Sequence, residues 1–237
     1  MTDIMAFGAH PDDVELAAAG TLIHHIKNGA KVVVADLTAG ELGTRGTAET
    51  RADEAEQSRK IMGAHMRVNL QLKDGFFEND KAALLKVVTA IRRFRPRIVL
   101  ANAVADRHPD HGRAADLVSQ ACFLAGLAKI STRFEDAEQK AWRPKVVYHY
   151  IQDRYIKPDL VVDISDSFSE KMLAVRTFTT QFYKEGDESP QTPISSAEFL
   201  EFIEARAREF GRCIGVEFGE GFTLERPLGT DSLLSFK

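Results

Sequence analysis

The amino-terminal part of the chain alternates between extended and helical patterns, and this alternation limits the folds open to it. Residues 4–9 are apolar and bounded by turn residues, as a buried strand would be. Residues 14–28 carry apolar side chains at helical spacing and end at Asn28-Gly29, a good helix stop. Residues 31–37 form a second, β-branched strand. A strand, a helix and a strand in this order predict parallel pairing with a right-handed crossover.

The same alternation continues along the rest of the chain. The patterns predict helices at 48–62, 80–94, 112–127, 166–180 and 195–210, and strands at 67–72, 98–101, 145–151 and 160–164. The polar segment 129–140 is expected to be an exposed connection, and the tail from Val216 is expected to be irregular. Because no repeat, low-complexity tract or linker interrupts the 237 residues, we expect one α/β domain over 1–237 with a mostly parallel sheet.

The composition favours chemistry on a small molecule. The formal net charge is -4, so there is no polybasic signature for nucleic acid or for an anionic membrane. The amino terminus has no basic segment followed by an apolar one, and no apolar run approaches the roughly 20 residues of a membrane span. Two cysteines are too few for a disulfide framework. We therefore expect a cytoplasmic protein that binds neither nucleic acid nor membrane.

Two turns of unusual composition follow the first and fourth predicted strands. They read His10-Pro11-Asp12-Asp13 and His108-Pro109-Asp110-His111. The carboxyl ends of parallel strands share one edge of the sheet, which is where ligands bind in open α/β folds. One such turn alone would usually be only a turn, and Asp13 alone could simply cap a helix. Two in corresponding positions predict a site.

The residues of these turns can hold a catalytic metal. A catalytic zinc site needs about three nitrogen or oxygen ligands and an open position for water. His10, Asp13 and His111 can supply such a set for one zinc ion, and the same ligands also accept Fe2+, Mn2+ or Co2+. Neighbouring residues of a turn point in different directions, so Asp12 can stay off the metal and act as the general base on the attacking water.

His108 and two arginines are further candidates beside this ligand set. Asp110 lies two residues from His108, and a carboxylate can fix the tautomer of a histidine or keep it charged. A charged His108 could stabilise an oxyanion or protonate a leaving amine. Arg51, after the glycine-rich loop, and Arg107, next to His108, could bind a substrate carboxylate or phosphate, or equally form structural ion pairs.

With both turns intact, the chain resembles the LmbE-like family of zinc-dependent N-acetylglucosaminyl deacetylases, which includes the GlcNAc-phosphatidylinositol deacetylases. The likeness covers nearly the whole chain and is strongest to the branch that acts in bacillithiol biosynthesis. The segments that resemble this branch are Gly8, Asp36-Leu37-Thr38, the Glu41 loop, Arg51 with its helix, Asp106-Arg107, Asp163-Ile164-Ser165, Gln181-Phe182 and Thr192-Pro193.

The resemblance implies a Rossmann-like three-layer sandwich and a homo-oligomer, because relatives of this branch are often hexameric. It implies zinc on the ligand set named above, Asp12 as the base, and His108, oriented by Asp110, as the electrophilic or acid partner. It further implies that Arg51, Arg107 and Glu41 lie near the substrate. Tyr183 or the loop 186–193 would close over it.

The activity implied is removal of acetate from N-acetylglucosaminyl-L-malate. One alternative is a deacetylase acting on another GlcNAc conjugate, such as a chito-oligosaccharide or a lipid-linked sugar. A second is a non-catalytic protein that binds a metal or a sugar on the same scaffold. The presence of Asp12 argues against the second alternative, because a pure binder needs no base.

Overall fold

A seven-stranded sheet lies at the centre of the computed structural model, which describes residues 1–232 and 234. Its strands are β1 (Thr2–Gly8), β2 (Val32–Thr38), β3 (Met66–Leu72), β4 (Pro96–Ala101), β7 (Val146–Tyr150), β8 (Leu160–Asp163) and β9 (Gly219–Leu224); β5 (Arg133–Phe134) and β6 (Ala137–Glu138) form a separate hairpin. The helices are α1 (Asp13–Lys27), α2 (Ala48–Met62), α3 (Lys81–Phe94), α4 (Pro109–Ala125), α5 (Phe168–Arg176) and α6 (Ala197–Ile214). None of the helices described is long and apolar enough to cross a membrane.

The strand order brings the two unusual turns together. The order is β3-β2-β1-β4-β7-β9-β8, in which the first five strands run parallel and β9 pairs antiparallel with both of its neighbours. The chain leaves β1 towards β2 on one side, whereas β4 lies on the other side of β1. Ligands bind in such sheets at the carboxyl ends of the strands flanking this switch point. The turns after β1 and β4 occupy that place.

Helices cover both faces of the sheet. Alternate residues of β1 point to opposite faces: Met5 and Phe7 pack with α3 and α4, whereas Ile4 and Ala6 pack with α1. A third apolar cluster joins α5 and α6 to the end of the sheet that carries β8. The predicted α/β fold, a three-layer sandwich around a mostly parallel sheet, is confirmed.

The prediction of an irregular tail was wrong, because β9 lies inside the sheet between β7 and β8. Its first half alternates glycine with other residues, which removes the apolar pattern of a buried strand. The glycines are required by close packing. A Cβ at Gly219 would lie 2.6 Å from Val161 Cγ1, and one at Gly221 would lie 3.0 Å from the Phe210 ring.

A buried ion pair connects β9 to the helices. Lys171 Nζ donates to Glu220 Oε1 over 2.6 Å, and each side chain is 3% exposed. The Glu220 carboxylate also accepts the backbone N–H groups of Gly20 and Thr21 in α1, at 3.0 and 2.7 Å. Burial lowers the pKa of Lys171, and Glu220 opposes that shift. This carboxylate therefore holds α1, α5 and β9 together.

Removing the ammonium of this pair is expected to destabilise the fold. Lys171→Met leaves a carboxylate buried without its cation, and we expect a loss of about 3–5 kcal/mol in the free energy of unfolding, measured by urea denaturation. Lys27→Met is the matched control, because Lys27 of α1 pairs with Glu170 of α5 in an exposed position, and its loss should cost less than about 1 kcal/mol. Equal losses in the two variants would contradict this role for Glu220.

Candidate active site

The turn after β1 directs two adjacent carboxylates to different partners. His10 N–H donates to Asp13 Oδ2 over 3.0 Å, which closes the turn. Asp12 has a φ of 128°, in the region that favours glycine, and holding another residue there costs about 1–3 kcal/mol. Asp12 stands at the N-cap of α1 but makes no capping hydrogen bond with its side chain. Helix capping by the Asp12 side chain therefore does not account for the strained conformation of this turn.

Asp13 lies at the centre of a polar cluster. Its Oδ1 is 3.2 Å from His111 Nε2, and its Oδ2 is 3.6 Å from His10 Nδ1. Two buried amides also donate to it: Asn102 Nδ2 to Oδ2 over 2.9 Å, and Gln152 Nε2 to Oδ1 over 2.7 Å. Sequence reasoning did not single out either amide. Asn102 directly follows β4, and that position was the available signal.

The remaining nitrogens of the two histidine rings face other carboxylates. His111 Nδ1 is 2.6 Å from Asp106 Oδ2. His10 Nε2 is 3.0 Å from Asp74 Oδ1 and 3.4 Å from Asp110 Oδ2. A histidine that binds a metal usually directs its other nitrogen to a carboxylate or carbonyl in this way. Two groups of side chains among the described residues bring one ligand atom each within 4.8 Å of one another: His10 with His108 and His111, and His10 with Asp74 and Asp110. The cluster can therefore hold a divalent cation, and Asp13 lies in contact with His10 and His111.

The charges of this cluster stabilise one another. Burial alone would lower the pKa of His111, but Asp13 and Asp106 raise it to about 9. Burial also opposes the shift at His10, whose pKa is nevertheless raised well above its usual value by Asp110, Asp13 and Asp74. For Asp13, burial would raise the pKa, yet the two histidines hold it well below the usual range. Asp13 therefore stays ionised at neutral pH, as a metal ligand must.

His108 stands beside this set as the N-cap residue of α4. Its ring centroid lies 4.6 Å from that of His10 and 5.2 Å from that of His111. Burial lowers the pKa of His108, and the charges on His10 and His111 lower it further. One nitrogen from each of the three rings lies within 4.8 Å of the others, so a site made of three histidines is a geometric alternative to the predicted ligand set.

The contact between His108 and Asp110 differs from the predicted one. His108 Nδ1 accepts the Asp110 backbone N–H over 3.2 Å, while the Asp110 carboxylate accepts from Gly75 N–H over 2.8 Å and Arg113 Nη1 over 2.6 Å. The reason is that α4 begins at Pro109 and not at 112, which turns the free N–H of Asp110 back towards the N-cap. In its neutral form His108 then carries its proton on Nε2.

Arg51 holds Asp12. Its Nη2 donates to Asp12 Oδ2 over 3.0 Å and to Pro11 O over 2.7 Å, and its Nη1 donates to Gly40 O over 3.2 Å. Gly40 has a φ of 66°, and a Cβ there would collide with the guanidinium. Burial raises the pKa of Asp12 to about 7, and Arg51 opposes the shift. The arginine predicted to bind substrate is thus committed to Asp12 and its turn.

Comparison with known proteins identifies the chain. Residues 5–122 match the PIG-L family, GlcNAc-PI de-N-acetylase. The chain belongs to the PIG-L family. It is 29% identical over 229 residues to diacetylchitobiose deacetylase of Thermococcus kodakarensis, covering 92% of this chain and 81% of that protein. As a PIG-L member the chain is an N-deacetylase, a hydrolase of the C–N bond of an amide.

Two solved structures share the fold. A conserved protein of Thermus thermophilus superposes with a TM-score of 0.87 at 33% identity, over 98% of this chain and 99% of its own. The N,N'-diacetylchitobiose deacetylase of Pyrococcus horikoshii superposes with a TM-score of 0.78 at 23% identity, over 94% of this chain and 83% of its own. The PIG-L fold therefore spans nearly the whole chain.

A cleft of about 450 Å³ opens above the site of this PIG-L member, in the range usual for small ligands. Arg107 lines it, but its Nε donates to Asp153 Oδ2 over 2.9 Å and its side chain is 41% exposed. Arg206 of α6 lines it as well, although the sequence showed only an amphipathic helix there. The cleft is therefore bordered by α6 in addition to the two turns.

Two residues expected near the substrate lie elsewhere among the described residues. Glu41 does not line the cleft; its Oε1 accepts the backbone N–H of Asp74 over 2.9 Å, because the glycine-rich loop packs against the turn after β3. Tyr183 lies in a separate groove between α5 and α6. Thr192 and Pro193 do line the cleft, so this part of the predicted closing segment borders the site.

Proposed function

We propose that this enzyme hydrolyses the N-acetyl group of an N-acetylglucosamine conjugate at a site that holds one zinc ion. The observation that carries the proposal is the contact of Asp13 with both His10 and His111, with Asp12 and His108 beside them. The sugar is proposed from the family description and from the diacetylchitobiose deacetylase relative. Release of acetate and of a free amine would complete the reaction.

His10 Nδ1, Asp13 and His111 Nε2 would hold the metal in this proposal. When bound, zinc would act as a Lewis acid towards the acetamide carbonyl and lower the pKa of a nearby water. Asn102 and Gln152 hold the Asp13 carboxylate in place through hydrogen bonds of 2.9 and 2.7 Å. The amides thus position a ligand without adding charge.

Asp12 and His108 would carry out the proton transfers. Asp12, oriented by Arg51, accepts a proton from the water that attacks the acetyl carbonyl carbon. His108 Nε2–H donates a hydrogen bond to the carbonyl oxygen as negative charge develops on it. The C–N bond then breaks, and the amine leaves with the proton that Asp12 accepted from the water, while His108 keeps its own proton. Water has been added across the amide, and the residues return to their starting protonation.

The conjugate we propose is N-acetylglucosaminyl-L-malate, and a neutral GlcNAc oligosaccharide is the second candidate, favoured by the diacetylchitobiose deacetylase relative. Acetate release from the malate conjugate, diacetylchitobiose and free GlcNAc by zinc-loaded protein tests both. The highest kcat/KM with the malate conjugate is the expected result. The highest value with diacetylchitobiose would favour the second candidate. No acetate from any of them, with zinc bound, would indicate a binding protein.

His108→Ala is expected to separate the two possible ligand sets. If His108 is an oxyanion donor, its loss should lower kcat by roughly 100-fold or more while zinc content stays at the wild-type level. Atomic absorption on the purified variant, beside the acetate assay, checks both parts. Loss of zinc would instead make His108 a ligand and support the set of three histidines.

A further inference from the structure

Arg206 is a buried arginine on the wall of the cleft. It is 8% exposed. Its Nη2 donates to the backbone carbonyl of Leu16 over 3.2 Å, and its guanidinium lies 5.1 Å from the centre of the Phe202 ring. No carboxylate among residues 1–232 and 234 lies within ion-pair distance of it. In the described part of the chain, the guanidinium is thus a cation in the cleft wall that has no ion-pair partner.

The carboxylates around Arg206 already have other partners. Burial lowers the pKa of Arg206 to about 10, with three carboxylates opposing the shift, so it remains charged at neutral pH. Those carboxylates are Glu220, 2.6 Å from Lys171; Asp153, 2.9 Å from Arg107; and Asp106, 2.6 Å from His111. A buried charge without a partner is costly, and an anionic ligand would offset that cost.

The other arginines of the cleft are less free to bind an anion. Both η nitrogens of Arg51 are occupied by Asp12 and backbone carbonyls. Arg107 is paired with Asp153 and exposed to solvent. In the described part of the cleft wall, Arg206 is therefore the arginine whose guanidinium is both buried and uncommitted to a carboxylate.

Arg206 contacts α1 close to the residues proposed to act on the amide. Leu16, which it contacts, lies about one helical turn after Asp12 and Asp13, or about 5 Å along α1. We propose that Arg206 binds an anionic group, a carboxylate or a phosphate, on the group attached to the sugar. This inference rests on the proposed function and makes Arg206 the residue that selects conjugates with a charged aglycone.

Three substrates with the same sugar test the proposal: the neutral methyl glycoside of GlcNAc, N-acetylglucosaminyl-L-malate and GlcNAc 1-phosphate. In Arg206→Met, KM for the preferred anionic substrate should rise roughly 10- to 100-fold with kcat nearly unchanged, since a hydrogen bond to a charged group is lost. The methyl glycoside should be unaffected. Whichever anion shows the larger rise identifies carboxylate or phosphate as the ligand.

Two further variants separate binding from folding. Arg206→Lys keeps a charge and should recover part of the lost selectivity. Arg208→Met is the matched control, because Arg208 lies on the same helix, is exposed and pairs with Glu204, and it should behave as wild type. Equal losses on all three substrates in Arg206→Met would mean a structural role, and no loss on either anion would also overturn the proposal.

A binding measurement keeps this inference distinct from the proposed function. In zinc-loaded protein carrying Asp12→Asn to prevent turnover, adding Arg206→Met should raise the calorimetric Kd of the malate conjugate or of the sugar phosphate by the same roughly 10- to 100-fold, and not that of the methyl glycoside. If wild type releases no acetate but this difference holds, the deacetylase proposal fails and the anion site stands. If acetate is released but Arg206→Met does not raise the Kd of either anionic substrate, the anion-site proposal fails and the deacetylase proposal stands.

Discussion

Replacing Asp12 with asparagine is expected to lower kcat by about 100- to 10,000-fold, the usual contribution of a general base. Asparagine has the same shape but cannot accept the proton from water. Because it matches aspartate in size and branching, the turn should keep its conformation at this positive φ. The pKa of Asp12, raised by burial to about 7, suits a group that takes up and returns a proton near neutral pH.

Zinc content and the midpoint of thermal unfolding should both be measured on Asp12→Asn. Unchanged zinc with a large loss of kcat is the expected outcome. A kcat close to that of wild type would remove Asp12 from the mechanism, and loss of zinc would make Asp12 a ligand.

Arg51 provides a companion test of how Asp12 is held. If Arg51 acts through Asp12, as its 3.0 Å hydrogen bond indicates, Arg51→Lys should lower kcat with little change in KM. If it binds substrate, as the sequence suggested, KM should rise instead. The division between kcat and KM therefore decides between a positioning residue and a substrate contact.

Replacing Asp13 with alanine is expected to abolish metal binding and, with it, acetate release. The side chain contacts both histidines of the proposed ligand set, at 3.2 and 3.6 Å, and is the only one of the three proposed ligands with a negative charge. Its removal takes away one proposed ligand and leaves an empty space between His10 and His111. Titration of the purified apoprotein with zinc, followed by calorimetry, measures the effect. Full zinc occupancy would exclude Asp13 from the ligand set.

A second variant, for which a smaller loss of zinc affinity is expected, strengthens this test. The Asp106 carboxylate accepts a hydrogen bond from Nδ1, the outer nitrogen of His111, over 2.6 Å and does not face the proposed metal position. Asp106→Asn should therefore weaken zinc binding by about 10- to 100-fold and not abolish it, as outer partners of metal ligands generally do. The same complete loss in both variants would argue for a general collapse of the turn.

The sequence was sufficient for the parts of the site that lie within short motifs. Both turns follow strands, and parallel strands bring such turns to one edge, so the meeting of His10 and Asp13 with His111 could be expected before the structure was known. What the motif could not give is the partner of each side chain. Asp110 meets His108 through its backbone because α4 starts at Pro109, a boundary that periodicity places only within a few residues.

The contributions missed by sequence reasoning come from distant segments. Asn102 and Gln152 reach Asp13 from the segments that follow β4 and β7, and only the strand order shows that these strand ends adjoin. Arg206 looks like any charged residue of an amphipathic helix until α6 is packed against Leu16. The strand β9 was missed because its glycines, which allow close packing, also erase the apolar pattern.

Acetate release from N-acetylglucosaminyl-L-malate by metal-stripped protein, before and after zinc is added back, tests the central claim most directly. The proposed mechanism predicts no acetate from the stripped protein and recovery of activity that levels off at one zinc per chain, with no recovery in Asp12→Asn. Equal activity with and without metal would contradict the proposal. So would protein that binds one zinc per chain but releases no acetate from this or any other N-acetylglucosamine conjugate.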